Sequence, residues 1–204
     1  MIGLIFATNW EARPFLSAIQ AELTAPQPFA CYTTNANPDL KVVISRIGKV
    51  AAAAACQYLI HVHDVDQIIN AGACGLLTES TEYRVSQVVR VTTAMEGDHE
   101  VFGKRPSPTV CSNLLNLDLP TGRLVTCDRP VFDMQKRHAC AKLGDLVDME
   151  GAAIARVADL FQVPCELIKG ITDKAQPTDR KTLMENLTAV SEKIAELLWQ
   201  RLGK

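Results

Sequence analysis

Features that mark nucleic-acid-binding, membrane and secreted proteins are missing from this sequence. The formal net charge is −2, and no basic run or interleaving of basic with aromatic residues predicts a nucleic-acid surface. No apolar stretch approaches the roughly 20 residues of a membrane span, because the alanine-rich run over 50–60 is interrupted by Gln57. The first residues lack the basic region of a signal peptide. We therefore expect neither nucleic acid nor a membrane as a partner.

The chain also lacks a cysteine motif, an internal repeat and a low-complexity linker. Its seven cysteines are scattered, often within apolar runs, and none has C-x-x-C spacing, which predicts reduced, buried thiols in a cytoplasmic protein. With 204 residues, 48% of them hydrophobic, the chain is long enough for one well-buried domain, whereas two would be crowded. We expect residues 1–204 to form a single domain.

Strand and helix patterns alternate along the chain. Strands are predicted over 2–7, 41–46, 67–70, 85–93 and 123–126, and one more ends near 173. Helices are predicted over 10–23, 48–61 and 135–142, from 149 onward, and along an amphipathic face from 183 to 201. Pro14 is tolerable only in the first turn of its helix. This alternation predicts an α/β fold with three layers, in which helices cover both faces of a central mixed β-sheet.

Two carboxylates stand where apolar elements meet polar turns. Glu150 opens a helical pattern of small and apolar residues, and Asp173 follows the apolar run 166–171, which predicts a buried strand. A carboxylate at the C-terminal end of such a strand lies where α/β sheets bind ligands. Taken alone, each acid is also typical of a helix cap or a turn residue.

The segments around these acids resemble the signature of the purine nucleoside phosphorylase and nucleosidase superfamily. They are similar in particular to methylthioadenosine/S-adenosylhomocysteine nucleosidases and futalosine hydrolases. The resemblance covers most of the chain and is carried by 2–7 with Glu11, 45–52, 70–76, 148–157 and 163–175. It implies a single-domain, nucleoside phosphorylase-like fold and an enzyme that cleaves the N-glycosidic bond of a purine nucleoside without a cofactor.

The resemblance also implies a role for each of three carboxylates. When the bond breaks, the base leaves with electron density that a proton at N7 can neutralise, and Asp173 matches the family acid that supplies it. Glu150 matches the glutamate that binds the ribose hydroxyls, with Met149 packing on the sugar. Glu11 matches the base that orients the attacking water on the opposite face of the sugar. Without the resemblance, Glu11 would be typical of a solvated helix acid.

Further substrate-binding residues follow from the same resemblance. Gly72 and Ala73 belong to a predicted turn whose small residues let a flat base or sugar approach the backbone closely. Val131 and Phe132, after a shift of one residue, occupy the segment whose aromatic ring stacks on the base. Thr172 directly precedes the predicted acid and is included in the substrate site.

Departures from the family pattern bear on the substrate. The family arginine four residues before the catalytic aspartate is Lys169 here. The stretch between Gly97 and Leu119 is shorter than the family's, and in relatives it helps to close the 5′ end of the site. A more open 5′ side would suit a group larger than methylthio, so futalosine and a lipid-linked adenosine remain candidates.

Whether water or phosphate attacks the sugar depends on cationic side chains that could bind phosphate. Phosphorylases of the superfamily carry an arginine where this chain has Asn70, and another near the N-terminus, where Glu11 would repel phosphate. Arg13 and Arg46 remain as substitutes. We predict hydrolysis, with a phosphorylase, including the adenosylhopane type, as one alternative. A catalytically silent nucleoside-binding protein is the other.

Two expectations concern partners and metals. The predicted helix over 48–61 offers an alanine-rich face that another subunit could cover, so we expect a homodimer whose partner helps to close the site, as in relatives of the family. His61 and His63 are candidate metal ligands by their spacing, but the sequence offers no third ligand in a fitting motif. We therefore predict no metal site.

Overall fold

A computed structural model describes residues 1–203 and places ten strands and five helices there. The strands are β1 Ile2–Phe6, β2 Glu22–Ala25, β3 Ala30–Thr33, β4 Leu40–Ile44, β5 Gln67–Leu76, β6 Val88–Glu96, β7 Thr109–Val110, β8 Thr121–Thr126, β9 Leu146–Asp148 and β10 Cys165–Asp173. The helices are α1 Asn9–Ala18, α2 Lys49–Val62, α3 Met134–Ala141, α4 Gly151–Leu160 and α5 Arg180–Leu202.

All strands belong to one mixed sheet. β1 lies between β4 and β5, parallel to both, and β3 and β2 continue the sheet beyond β4 as antiparallel strands. The long strand β5 also pairs with β10 in parallel and with β9 in antiparallel orientation. Because β10, β6, β8 and β9 pair in succession, this part of the sheet closes on itself through β5. The predicted mixed sheet is confirmed, with a partial closure that was not foreseen.

Both faces of the sheet are covered by helices, as predicted. Along β1, Ile5 packs in the core cluster that includes residues of α2 and α4, whereas Leu4 and Phe6 pack in the cluster that includes α1 and α5. This alternation follows from the two-residue period of a strand. At Gly170 of β10, an added Cβ would clash with Val190 Cβ, so the missing side chain lets α5 lie close against the sheet. None of the helices within residues 1–203 has both the length and the apolar character needed to cross a bilayer.

Several predicted boundaries are wrong. The first helix ends at Ala18 and not at residue 23, because the backbone turns at Gln20, whose φ is 51°, and residues 22–25 pair with β3. Pro14 lies inside α1 and beyond its first turn. The turn predicted around Gly72 is a strand, since β5 continues to Leu76 and Gly72 pairs with Lys169 of β10.

Candidate active site

A cavity of about 290 Å³ lies where β1 and β10 end, beside the second half of β5. It collects eight of the nine residues predicted for the site: Glu11, Ala73, Val131, Phe132, Met149, Glu150, Thr172 and Asp173. The ninth, Gly72, does not line it. The position agrees with the general tendency of α/β sheets to bind ligands at the carboxyl ends of their strands.

Glu11 is a buried carboxylate held by three donors. Its Oε2 accepts hydrogen bonds from Thr8 N and Thr8 Oγ1, both at 2.8 Å, and its Oε1 accepts one from Ala73 N at 2.9 Å. The Thr8 contacts form a capping box at the start of α1. Glu11 is only 8% exposed, so it is not the solvated helix acid that its position alone would indicate.

Gly72 acts on Glu11 and not on a ligand directly. A Cβ added at Gly72 would lie 2.7 Å from Glu11 Oε1, closer than real Cβ atoms approach another atom. The prediction that small size matters at this position therefore has a different physical reason. The absent side chain makes room for the carboxylate that faces the cavity.

Asp173 ends β10 and projects into the cavity next to Thr172. Its Oδ1 accepts from Ala175 N and its Oδ2 from Thr172 Oγ1, each at 2.7 Å. The Thr172 hydroxyl also lies 3.2 Å from Cys74 O, and its single proton can serve only one of the two acceptors. A Cβ at Gly75 would lie 3.0 Å from Asp173 Oδ1, so this glycine also makes room for a carboxylate.

Glu150 occupies the N-cap position of α4, but its side chain caps a different helix. Glu150 makes no side-chain bond within its own helix start, and its Oε1 accepts from Gly48 N, at the start of α2, at 2.8 Å. Burial raises the pKa of Glu150 to about 7, and the charge of Asp148 adds to that rise. Lys169 and the Gly48 N–H group oppose it. This carboxyl therefore changes its charge near neutral pH.

A buried polar group that borders the cavity through Asp148 was missed by sequence reasoning. Asp148 Oδ2 accepts from Gly151 N and from Lys169 Nζ, both at 2.8 Å, and Asp148 Oδ1 accepts from Thr126 Oγ1. Lys169 Nζ also donates to Asn70 Oδ1 at 2.7 Å. The signal that could have revealed this group is a charged residue in the middle of an apolar strand, flanked by Ile168 and Gly170.

The remaining walls of the cavity are mainly apolar. Phe132 and Val131 form one wall, and the first turns of α5 form another with Leu183, Met184 and Leu187. The helix pattern that includes Leu183 and Leu187 predicted an amphipathic face but gave no sign that its first part borders a site. The lining within residues 1–203 includes no lysine or arginine, so neither Arg13 nor Arg46, the candidate phosphate ligands, reaches the cavity.

The two histidines considered as a metal pair lie apart from this cavity and contact aromatic rings. The His61 ring packs edge-on against Phe161 at 4.6 Å between centroids, and the His63 ring packs against Tyr58 at 5.0 Å. In the described part of the chain, no three histidine, cysteine or acidic side chains are grouped as a metal site requires.

Comparison with known proteins agrees with the predicted family. A family model described as the phosphorylase superfamily matches residues 1–202. The 5′-methylthioadenosine/S-adenosylhomocysteine nucleosidase of Arabidopsis thaliana is 34% identical over 228 residues, covering 97% of this chain and 88% of that protein. The aminodeoxyfutalosine nucleosidase of Campylobacter jejuni is 24% identical and covers 85% of this chain and 86% of its own.

A solved structure supports the fold. The crystal structure of the 5′-methylthioadenosine/S-adenosylhomocysteine nucleosidase of Helicobacter pylori matches with a TM-score of 0.86, at 21% identity, over 98% of this chain and 96% of that chain. The α/β architecture expected from the sequence is thus that of a nucleoside phosphorylase-like protein. The family model matches nearly the whole chain, and the Arabidopsis relative is 34% identical over 88% of its own length. This chain is a member of the phosphorylase superfamily.

Proposed function

We propose that this protein hydrolyses the N-glycosidic bond of a purine nucleoside and releases the free base. The observation that carries the proposal is that Glu11, Glu150 and Asp173, from three separate elements, line one cavity. Relatives named as nucleosidases of methylthioadenosine, S-adenosylhomocysteine and aminodeoxyfutalosine support the same reaction.

Each carboxylate takes a separate part of the reaction. Asp173 protonates N7 of the base, so that the C1′–N9 bond breaks without leaving full negative charge on the ring. Glu150 accepts hydrogen bonds from the ribose hydroxyls while positive charge builds on the sugar. Glu11, fixed by Thr8 and Ala73, takes a proton from the water that attacks C1′. The products are the free base and the free sugar derivative.

The apolar walls support a purine ring and an apolar 5′ substituent. Phe132 and Val131 line the side on which the base would stack, and Met149 lies beside Glu150 to contact the sugar. Leu183, Met184 and Leu187 offer an apolar surface for a 5′ group such as an alkylthio chain. We propose 5′-substituted nucleosides of the methylthioadenosine, S-adenosylhomocysteine or futalosine type as substrates.

Water is the proposed nucleophile. A phosphate dianion would have to enter a cavity whose described lining carries acids and no lysine or arginine, and like charges repel at short range. A water molecule meets no such barrier and finds in Glu11 an oriented acceptor for its proton.

A nucleoside panel tests the reaction. The protein is incubated with methylthioadenosine, S-adenosylhomocysteine, futalosine, adenosine and inosine, with no phosphate and with tens of millimolar phosphate at constant ionic strength. We expect base release at a rate independent of phosphate, with a free sugar as product. Ribose 1-phosphate formed only with phosphate would identify a phosphorylase. Binding of a nucleoside without release of any base would identify a binding protein.

We also propose a homodimer in the cytoplasm. Val50, at the start of α2, is 85% exposed, and the neighbouring Ile47, which lines the cavity, is 60% exposed, so apolar surface continues from the site to the outside. A second copy covering this face would help to close the cavity. The seven cysteines are buried free thiols, which supports a reducing compartment.

A further inference from the structure

A second cavity, of about 360 Å³, lies beside the candidate active site and is lined by a pair of thiols. Cys127 directly follows β8, and Cys140 lies near the end of α3; each is 6% exposed. Their sulfur atoms lie 3.8 Å apart. A Cβ added at Gly97 would lie 2.9 Å from Cys127 Sγ and 3.5 Å from Cys140 Sγ, so the missing side chain leaves room for both sulfurs. The two thiols therefore contact each other within reach of a small molecule that enters this cavity.

The sulfur pair is suited to disulfide formation. Because a disulfide bond is about 2.05 Å long, the two sulfurs need to approach each other by only about 1.8 Å. Lys136 lines the same cavity and lies one helical turn before Cys140 on α3, where its positive charge favours the Cys140 thiolate. A hydrogen bond from Cys127 also lowers the pKa of Cys140 to about 7, although burial opposes this change. The thiolate is the form of cysteine that attacks a disulfide.

The two thiols share one apolar cluster with walls of the active-site cavity. Cys127 and Cys140 belong to the same buried cluster as Val131 and Ala175. Both Val131 and Ala175 line the active-site cavity, and Ala175 N donates to Asp173 Oδ1 at 2.7 Å. Closely packed side chains transmit a shift to their neighbours. A cross-link between the two sulfurs would therefore displace residues that border the active site.

We propose that Cys127 and Cys140 form a reversible dithiol–disulfide site that lowers base release when it is oxidised by a low-molecular-weight disulfide. The Cys140 thiolate attacks one sulfur of that molecule, forms a mixed disulfide and releases one thiolate. Cys127 then loses its proton, attacks the Cys140 sulfur and expels the second thiolate. The protein loses two protons and two electrons, and the external disulfide is reduced to two thiols. The effect on base release rests on the proposed nucleosidase reaction, whereas formation of the disulfide does not.

Mass spectrometry after treatment with oxidised glutathione tests the site. The reduced protein is incubated with oxidised glutathione at neutral pH, denatured in an alkylating reagent without reduction, and cut with trypsin. Trypsin separates residues 124–136, which contain Cys127, from residues 138–142, which contain Cys140. We expect these two peptides to remain joined, while the other cysteines of the chain are alkylated.

Base release measured before and after oxidation tests the effect on the active site. We expect the rate with methylthioadenosine to fall roughly 10-fold, because small displacements at a catalytic site cost rate, and to return when dithiothreitol reduces the disulfide. The double variant Cys127→Ser/Cys140→Ser releases base but does not respond to oxidised glutathione. Cys111→Ser is the matched control, because Cys111 is also 6% exposed but its sulfur contacts Thr109 O and not a second sulfur. This control responds to oxidation as the unaltered protein does.

The outcomes separate this inference from the proposed function. Joined peptides, together with a loss of base release that dithiothreitol reverses, support the inference. Separate peptides, a mixed disulfide with glutathione that persists, or an equal loss of activity in the double variant overturn it, as do joined peptides with unchanged base release. Absence of base release by the reduced protein contradicts the proposed function instead. The effect of the disulfide on the cavity is then measured as a change in nucleoside affinity by calorimetry, and equal affinity of the reduced and oxidised protein overturns it.

Discussion

Three of the four carboxylates that line the cavity, Glu11, Glu150 and Asp173, differ in what holds them. Glu11 has three hydrogen-bond donors from the chain and is fixed, whereas Asp173 shares a hydroxyl proton that can turn toward Cys74. Glu150 has one backbone donor, Gly48 N, and a strongly raised pKa. A fixed acceptor suits the water activation proposed for Glu11.

Asp173→Asn removes the carboxyl that we propose as the acid for the leaving base. We expect kcat to fall by roughly 100-fold or more, while nucleoside binding changes by less than about 10-fold, because the amide keeps the shape but cannot supply the proton. Rapid mixing to measure turnover and calorimetry to measure binding check the two parts separately. Turnover close to that of the unaltered protein would remove Asp173 from the mechanism.

Glu150→Gln tests whether burial of this acid costs stability. Burial raises the pKa of Glu150 from its ordinary value of 4.5 to about 7 on folding, so its ionised form is disfavoured in the folded state. Protonation of Glu150 contributes to the free energy of unfolding. This contribution is fully present below pH about 4.5 and is lost as the pH rises through about 7. Glu150→Gln, which cannot ionise, should therefore be more stable than the unaltered protein above pH about 7, by on the order of 2 kcal/mol.

Urea unfolding at acid and at alkaline pH measures this difference. At pH about 4 the two proteins should differ little, because Glu150 is then protonated whether the chain is folded or unfolded. The expected pattern is a more stable but less active enzyme at pH about 8. Equal stability of the two proteins at both pH values would contradict the assigned burial effect.

Gly72→Ala tests the support of Glu11 from β5. The new Cβ would meet Glu11 Oε1 at 2.7 Å, so the carboxylate must move away from Ala73 N. We expect kcat to fall by roughly 10-fold or more while the fold persists, because a small displacement of a catalytic group costs rate. The matched control is Gly122→Ala in β8, whose nearest contact would be the flexible Leu146 side chain at 3.3 Å. Equal activity of both variants would show that Glu11 need not be held there.

At the scale of elements, α5 serves two purposes along its length. Leu183, Met184 and Leu187 border the cavity, whereas Ile194 and Leu198 pack in the core against α1 and the sheet. A single amphipathic pattern therefore describes both a binding wall and a core face. Asn186 Nδ2 also donates to Thr172 O at 2.8 Å, which ties the helix to the strand end that carries Asp173.

Leu187→Ala tests the proposed 5′ wall on α5. Loss of the isobutyl group removes apolar contact with a 5′ substituent, so KM for methylthioadenosine should rise by roughly 10-fold, whereas KM for adenosine changes much less. Steady-state kinetics with both nucleosides measures the difference. A similar rise for both substrates would mean that the helix contacts the base or sugar instead.

The sequence predicts the elements whose pattern is long and regular. β1, β10, α2 and α5 follow clear periods of two or 3.6 residues and were placed within a few residues of their bounds. The short strands β2, β3, β7 and β9 were missed, because two to four residues carry no measurable period and owe their pairing to distant partners. The closure of the sheet through β5 depends on the same long-range pairs.

The sequence predicted the residues that line the candidate site better than the residues that hold them in place. The acids came from the resemblance of Glu11, Glu150 and Asp173 to a family pattern, and all three line the cavity. Asp148 and Lys169 lie within the segments that resemble the family, but the sequence predicted no role for them. Residue spacing does not reveal an ion pair between two strands. Gly72 was predicted for the wrong reason, since the atom it makes room for lies 61 positions earlier in the chain.

At the scale of the whole molecule, we expect a dimer of 22.3 kDa subunits. Sedimentation at micromolar concentration should give twice the subunit mass, and Val50→Glu should favour the monomer, because it places a charge on the exposed apolar start of α2. Thr188→Glu is the control for added charge, because Thr188 is exposed on α5 and not on α2. A monomer alone at these concentrations would contradict the proposed assembly.

Because the cavity takes walls from α1, β5, the turn before α4, β10 and α5, it exists only when segments from residue 7 to residue 187 are all in place. A chain emerging from the ribosome would therefore remain inactive until α5 has left the exit tunnel and docked. The onset of base release would then report when the last element, α5, has packed in place. A protease cut before α5 would abolish activity even if the sheet stayed folded.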